Sequence, residues 1–144
     1  MTPPNIVALV PELSCSDFKQ SLNFYTSVLG FELLFERPER GFAFVALGQA
    51  QIMLKQSNGN WDTGSLQQPY GRGINFQIVV PDLQPLIERL AASEIPLFQA
   101  PETVRYRIGT VERGVIEFLV QDPDGYLRRF SQLVGDRPVT PDQA

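Results

Sequence analysis

The chain repeats one pattern of structural signals twice, and this duplication limits its fold more than any other feature. In each half, an apolar β-prone segment precedes an aspartate that opens an amphipathic helix, and strand-like segments follow the helix. Asp17 opens the first helix and Asp82 opens the second, 65 positions later. A repeat of this kind predicts an α+β fold built from two paired βαβββ modules.

The first half carries the clearer signals. Asp17 is a helix-capping residue, and Gln20 three positions later completes a capping box. The apolar stripe of the helix has a spacing of three to four residues and consists of Phe18, Leu22, Tyr25 and Leu29. Gly30 is a natural helix end. Strands are predicted over residues 6–15, 31–37, 42–47 and 51–56.

The second half follows the same order with weaker strand signals. A strand is predicted over residues 74–80, and Pro81 and Asp82 start a helix with an apolar stripe. That stripe consists of Leu83, Leu86, Ile87 and Leu90. Segments 97–99 and 104–110 are interpreted as two short strands or one irregular strand. Strands over residues 115–121 and 127–133 complete the module.

We interpret the 144 residues as one compact domain, long enough to bury a core without a metal or a disulfide. Module 1 covers about residues 5–57 and module 2 about residues 73–134. Residues 58–72 are rich in Gly, Asn, Ser and Gln and are predicted to be the linker. The polar tail, residues 135–144, is predicted to be a mobile end or an arm that contacts a partner.

The net charge restricts the class of partner. With 12 Lys and Arg against 16 Asp and Glu, the chain carries −4, which argues against nucleic acid or an anionic membrane and suits a cationic small molecule better. No segment approaches the ~20 apolar residues that span a bilayer, and the start lacks a signal-peptide pattern, so a cytoplasmic location is expected. Cys15, the single cysteine, is predicted to be a small buried side chain rather than a reactive thiol.

Four short motifs resemble a known family. Residues 10–18 (VPELSCSDF), 21–25 (SLNFY), 28–31 (VLGF) and 121–126 (QDPDGY) are similar to the glyoxalase/bleomycin resistance/dioxygenase family, also called the vicinal oxygen chelate superfamily. The likeness covers about residues 6–133. It implies that the eight strands of the two modules form an open cup, in a homodimer that shapes the cavity. The same fold hosts isomerases, dioxygenases, thiol transferases and antibiotic-binding proteins, so the likeness is specific for fold and weak for function.

The resemblance also implies where a metal would be held. In the family's enzymes, the first and last strands of each module give one ligand each, and motif matching puts these positions at Val10, Met53, Asn75 and Arg129. None of the four is a usual ligand of a transition metal, and the chain contains no histidine. We therefore expect no metal and no cofactor. A nucleophile activated by histidine is excluded as well.

Alternation along the strands predicts which other side chains face the cup. If the four matched positions point inward, so do Glu12, Gln51, Lys55, Gln77, Leu127 and Ser131. The opposite face is expected to pack against the helices, and it carries Leu9, Ile52, Leu54, Ile74, Phe76, Ile78 and Phe130.

The predicted ligand-binding residues are polar and aromatic, and each class has an ordinary alternative. Polar side chains such as Gln77 are equally typical of a solvated sheet face, and glutamates of a protein surface. For Phe42 and Phe44 core packing is the default expectation, and Tyr106 either lines the cleft or packs. Trp61 lies in a polar loop, where a pocket rim or a dimer interface and an ordinary structural role remain equally open. The set is Glu12, Phe42, Phe44, Met53, Trp61, Asn75, Gln77, Tyr106, Glu117 and Arg129.

The leading hypothesis is a non-catalytic, metal-independent binding protein of the bleomycin resistance type, which captures a cationic, planar-ringed glycopeptide as a dimer. It rests on the replaced ligand positions, the acidic chain and the aromatic residues that can stack on a flat ring. A second hypothesis is a metal-free lyase or isomerase with Glu12 or Glu117 as base and Arg129 as anion anchor. A third is binding of another small metabolite.

Overall fold

The computed structural model describes residues 2–139, which form eight strands in two four-stranded sheets, with one helix following the first strand of each sheet. The elements are β1 (Glu12–Cys15), α1 (Phe18–Asn23), β2 (Glu32–Arg37), β3 (Phe42–Leu47), β4 (Ala50–Gln56), β5 (Asn75–Val79), α2 (Gln84–Ala92), β6 (Gln99–Ile108), β7 (Val111–Gln121) and β8 (Leu127–Pro138). The strand orders β1-β4-β3-β2 and β5-β8-β7-β6 are equivalent. The predicted duplication of a βαβββ module is therefore confirmed.

The chain divides into two units. The first runs to Arg72 and also includes Asp122–Tyr126, the turn between β7 and β8. The second comprises Gly73–Gln121 and the chain from Leu127 onward. In each unit, the first strand pairs in parallel with the last, and the remaining neighbours are antiparallel.

The first unit buries its helix face as the sequence predicts. The Asp17 carboxylate accepts a hydrogen bond from the Gln20 backbone N–H at 3.2 Å, which confirms the predicted cap. The helix then widens into a π-helical turn, Phe24–Val28, and ends where Gly30 adopts a positive φ of 82°. Helix and sheet bury one apolar set, which includes Phe18, Phe24, Tyr25, Leu29, Ala43, Val45, Ile52 and Leu54. Cys15 is buried, and desolvation raises the pKa of its thiol to about 12.

The second unit buries the corresponding faces. Leu83, Leu86 and Leu90 are buried on the helix side, and the Phe118 and Phe130 rings stack with their centroids 5.4 Å apart. Arg128 is fully buried on the same side of the sheet, with its guanidinium 4.8 Å from the centre of the Phe76 ring.

The structure moves the ends of three predicted strands. Leu9 and Ile74 are exposed, not packed against helices, because β1 begins only at Glu12 and β5 at Asn75, so neither residue belongs to a paired strand. Residues 135–138, predicted to be tail, continue β8 because they pair with the start of β7. Residues 140–144 lie outside the described part. The segment from residue 97 to 110 contains one irregular strand, β6, with a register shift between Gln99 and Glu102.

No helix within residues 2–139 is long and apolar enough to cross a membrane, since α1 and α2 have six and nine residues.

The Asp122–Tyr126 turn organises the first unit through two buried carboxylates. Asp124 accepts hydrogen bonds from the Ser16 backbone N–H at 2.9 Å, the Ser16 hydroxyl at 2.5 Å and the Gln68 side-chain amide at 2.7 Å. Asp122 accepts from the Tyr25 hydroxyl at 2.6 Å. The turn thereby connects the entry of α1, the helical segment after it and the loop before β5.

Replacing Asp124 with alanine should lower the free energy of unfolding by roughly 2–4 kcal/mol, because buried donors lose a charged acceptor. Urea denaturation measures the change. Asp62→Ala, in an exposed loop, is the control and should stay within about 0.5 kcal/mol of the native protein. Equal stabilities of the two variants would contradict the structural role of Asp124.

Candidate functional site

Two groups of side chains lie at the sheet faces that the sequence predicts to point away from the helices, and all of them except Trp61, in the loop after β4, belong to strands. The first-unit cluster consists of Glu12, Lys55 and Trp61. The second-unit cluster consists of Gln77, Tyr106, Glu117, Arg129 and Ser131. Each cluster is built within its own unit.

The first-unit cluster is organised by Lys55. Parallel pairing of β1 with β4 puts Glu12 opposite Met53, and Lys55 follows two residues later on the same face. The Lys55 ammonium lies 3.8 Å from the Glu12 carboxylate and donates a hydrogen bond to the backbone oxygen of Asn60 at 2.7 Å. It also lies 5.5 Å from the centre of the Trp61 ring.

Trp61 is held in an unusual conformation. Its φ is +64°, a left-handed value that costs a non-glycine residue about 1–3 kcal/mol. Its side chain is nevertheless 81% exposed, so the indole gains little from burial. The hydrogen bond from Lys55 to the preceding residue and the cation–π contact both oppose this cost.

Phe42 and Phe44 lie on the same sheet face but are packed. Phe44 stacks on Phe35 with centroids 4.9 Å apart, and the Arg37 guanidinium covers the Phe42 ring at 4.0 Å. Phe42 and Phe44 are both buried. These rings therefore offer a ligand little free surface, in agreement with the core-packing alternative.

The second-unit cluster is centred on a buried carboxylate. Glu117 is 4% exposed in the middle of β7. One of its oxygens accepts a hydrogen bond from the Tyr106 hydroxyl at 2.6 Å, and the other accepts from the Ser131 hydroxyl at 3.4 Å. The Arg129 guanidinium approaches the second oxygen to 3.9 Å and donates to the Gln77 amide oxygen at 2.8 Å.

Strand register explains why these side chains meet. Gln77 is paired with Arg129 across β5 and β8, and Ser131 is paired with Glu117 across β8 and β7. Tyr106 extends from β6 along the same face. Asn75 begins β5 on this face and is exposed, opposite Leu127.

The contacts of Tyr106 fix its protonation state. Its hydrogen bond to the Glu117 carboxylate raises the pKa of the phenol, burial and the charge of Glu117 add to the effect, and Arg129 opposes it. The hydroxyl therefore remains a hydrogen-bond donor at neutral pH.

Sequence reasoning put Lys55 and Ser131 on the inward face but left both out of the ligand-binding set. Each follows a matched metal position by two residues, which is the signal that identifies its face. Their contacts with Glu12, Trp61 and Glu117 appear only in the structure.

The positions matched to the family's metal ligands do not fit a metal. Val10 precedes β1, Met53 offers a weakly donating thioether, and Arg129 brings a guanidinium that is bound by Gln77. Within residues 2–139, no three His, Cys, Asp or Glu side chains are grouped so that they could hold a metal ion.

Comparison with known proteins agrees with the architecture. Residues 6–130 match the Glyoxalase/Bleomycin resistance protein/Dioxygenase superfamily, and the chain belongs to this superfamily. It is 34% identical over 129 residues to a protein named lactoylglutathione lyase from Neisseria meningitidis serogroup A, an alignment that covers 83% of this chain and 86% of the relative. The relative of the same name from serogroup B gives the same values.

Solved structures with lower sequence identity share the fold. A glyoxalase/bleomycin resistance protein/dioxygenase from Alicyclobacillus acidocaldarius is 20% identical with a TM-score of 0.59, over 93% of this chain and 95% of that one. TioX from Micromonospora sp. ML1 is 22% identical with a TM-score of 0.64, over 86% and 96%. At these identities the likeness concerns the fold alone.

Replacing Glu117 with glutamine should lower the pKa of Tyr106 toward its ordinary value of 10.0, because the phenolate would no longer face a carboxylate charge. Tyrosine ring carbons followed by NMR during a pH titration report this pKa directly. Glu102→Gln is a matched control, since Glu102 is paired with Glu117 across the β6–β7 ladder. A Tyr106 pKa that is unchanged in E117Q would contradict the role assigned to the carboxylate.

Proposed function

We propose that this protein binds a small organic molecule at the second-unit cluster, without catalysis and without a family-type metal. The observation that carries the proposal is Arg129, which occupies a matched metal position and is held there by Gln77 and Glu117. A fixed guanidinium supplies directed hydrogen-bond donors where a metal would supply a Lewis acid. Binding of this kind is stoichiometric, so the amount of ligand captured scales with the amount of protein.

A variant of this proposal uses the first-unit cluster and captures a cationic glycopeptide of the bleomycin type in a homodimer. Two features support it: the net charge of −4 and the exposed indole of Trp61, which can stack on a flat ring.

The strands of the second sheet have the opposite charge balance. They carry six arginines and four carboxylates, a net charge of +2, which favours an anionic group beside Arg129.

The relatives named lactoylglutathione lyase favour a second candidate, a lyase or isomerase that works without the family's metal. Glu117 is then the base, because it is buried beside the Tyr106 hydroxyl and the Arg129 guanidinium. Arg129 anchors an anionic part of the substrate.

Titration with metal-free bleomycin and with lactoylglutathione separates the candidates. Binding to the native state alone stabilises it, by about 2.7 kcal/mol when free ligand is 100 times the Kd. A saturable rise in melting temperature, with the ligand recovered unchanged, supports capture. Loss of lactoylglutathione over many turnovers, abolished in E117Q, supports the lyase instead. If neither compound is bound or converted, bleomycin capture and lactoylglutathione chemistry are both wrong.

Metal analysis tests the proposed independence from a family-type metal. Protein purified without an affinity tag should contain far less than one transition-metal ion per chain, and dialysis against a chelator should leave its melting temperature unchanged. Both results follow from the absence of histidine and the side chains at the four matched positions. A stoichiometric metal whose removal lowers the melting temperature would contradict metal independence.

A further inference from the structure

Arg129 has more hydrogen-bond donors than the protein uses. A guanidinium carries five N–H groups in a fixed fork. One terminal nitrogen donates to Gln77, and the other lies 3.9 Å from Glu117, beyond hydrogen-bonding distance. The guanidinium also interacts with the Tyr106 hydroxyl and opposes the rise that Glu117 causes in the pKa of that phenol. The Nε atom is buried and makes no hydrogen bond with residues 2–139. A buried donor without an acceptor costs about 1–3 kcal/mol, so this arrangement favours an acceptor from outside residues 2–139.

Glu117 cannot easily be that acceptor. Its two oxygens receive the Tyr106 and Ser131 hydroxyls, which fix the carboxylate at its distance from the guanidinium. The carboxylate offsets the charge of Arg129 without accepting a hydrogen bond from its guanidinium. The partly exposed end of the guanidinium therefore offers an incoming anion terminal N–H groups that Glu117 does not accept.

The same sheet face carries exposed apolar side chains around the cluster. Val79 follows Gln77 by two residues, Ile108 follows Tyr106 by two, and Leu133 follows Arg129 by four, so alternation places all three on this face. They are 59%, 51% and 53% exposed. An apolar group that covers them would add hydrophobic stabilisation to the ionic contact.

We infer that the ligand of the second-unit cluster is an organic carboxylate with an apolar body. Its two oxygens accept from the Arg129 fork, and its hydrocarbon part covers Val79, Ile108 and Leu133. The net charge of +2 on the second sheet favours the same sign of ligand. The inference rests on the proposed binding function and names the chemistry of the ligand.

Three probes of matched size test it: hexanoate, hexanamide and hexylammonium. Hexanoate should bind at least about tenfold more tightly than hexanamide, because only the carboxylate makes charge-assisted hydrogen bonds with the guanidinium. Titrations followed by NMR give both affinities. The Nε–Hε signal of Arg129, assigned by its loss in R129K, should shift with hexanoate and not with hexanamide.

Two variants complete the test. Arg129→Lys keeps the charge without the fork and should weaken hexanoate binding about tenfold while leaving the fold intact. Arg107→Gln, on β6 at a position whose parity is opposite to that of Tyr106, removes one charge of the same sheet and should weaken binding much less than Arg129→Lys.

The remaining outcomes separate this inference from the proposed function. Preferential binding of hexylammonium, or equal binding of hexanoate and hexanamide at the cluster, would overturn the carboxylate inference and leave small-molecule binding intact. Hexanoate binding that survives unchanged in R129K would place the carboxylate elsewhere and overturn it too. If no probe shifts any signal of the cluster, the carboxylate inference is wrong whatever bleomycin does. If bleomycin also fails to bind, the proposed binding function is wrong as well.

Discussion

The parallel pairing of the first and last strands in each unit is the constraint on which the candidate site depends. It closes the βαβββ module and sets Glu12 opposite Met53 in one unit and Gln77 opposite Arg129 in the other. A slip by one residue would turn the Arg129 side chain to the helix side, where the buried face is occupied by rings such as Phe130. The apolar helix-facing residues therefore fix the position of the polar ones.

The two modules have the same strand order but different side chains at equivalent positions. In the first sheet, Phe42 is paired with Lys55, and in the second, Glu117 is paired with Ser131 at the equivalent place. A ring packed with Phe35 in one unit thus corresponds to a buried carboxylate in the other. The first sheet gains packing at this point, and the second gains a polar group that needs partners.

The sequence was most informative where local signals and tertiary pairing agree. Residues 42–47 were predicted as a strand and form β3 with the same bounds. Residues 6–11 are as apolar as a strand, but the described ladder of β1 begins at Glu12, so composition alone misled. Residues 135–138 were predicted as tail because they are polar, yet they belong to β8. An ion pair between Arg113 and Asp136 links β7 and β8 at this point.

The sequence predicts which sheet face the candidate residues occupy, but not which of their side chains touch. Alternation identified the inward side chains of β4, β5 and β8, because its period is a local property of a strand. The hydrogen bond between Tyr106 and Glu117 was not predictable, since it depends on the β6–β7 register and its irregularity near Gln99. Burial of Phe44 depends on ring stacking with Phe35, which no local pattern indicates.

The Asp122–Tyr126 turn makes the first unit depend on the second repeat. This segment comes from the second repeat, yet its carboxylates accept hydrogen bonds from the hydroxyls of Ser16 and Tyr25 in the first unit. A gene cut between the repeats would yield a first half without those acceptors. The first repeat is therefore not self-sufficient, because part of its hydrogen-bonded interior is supplied by a turn from the second repeat.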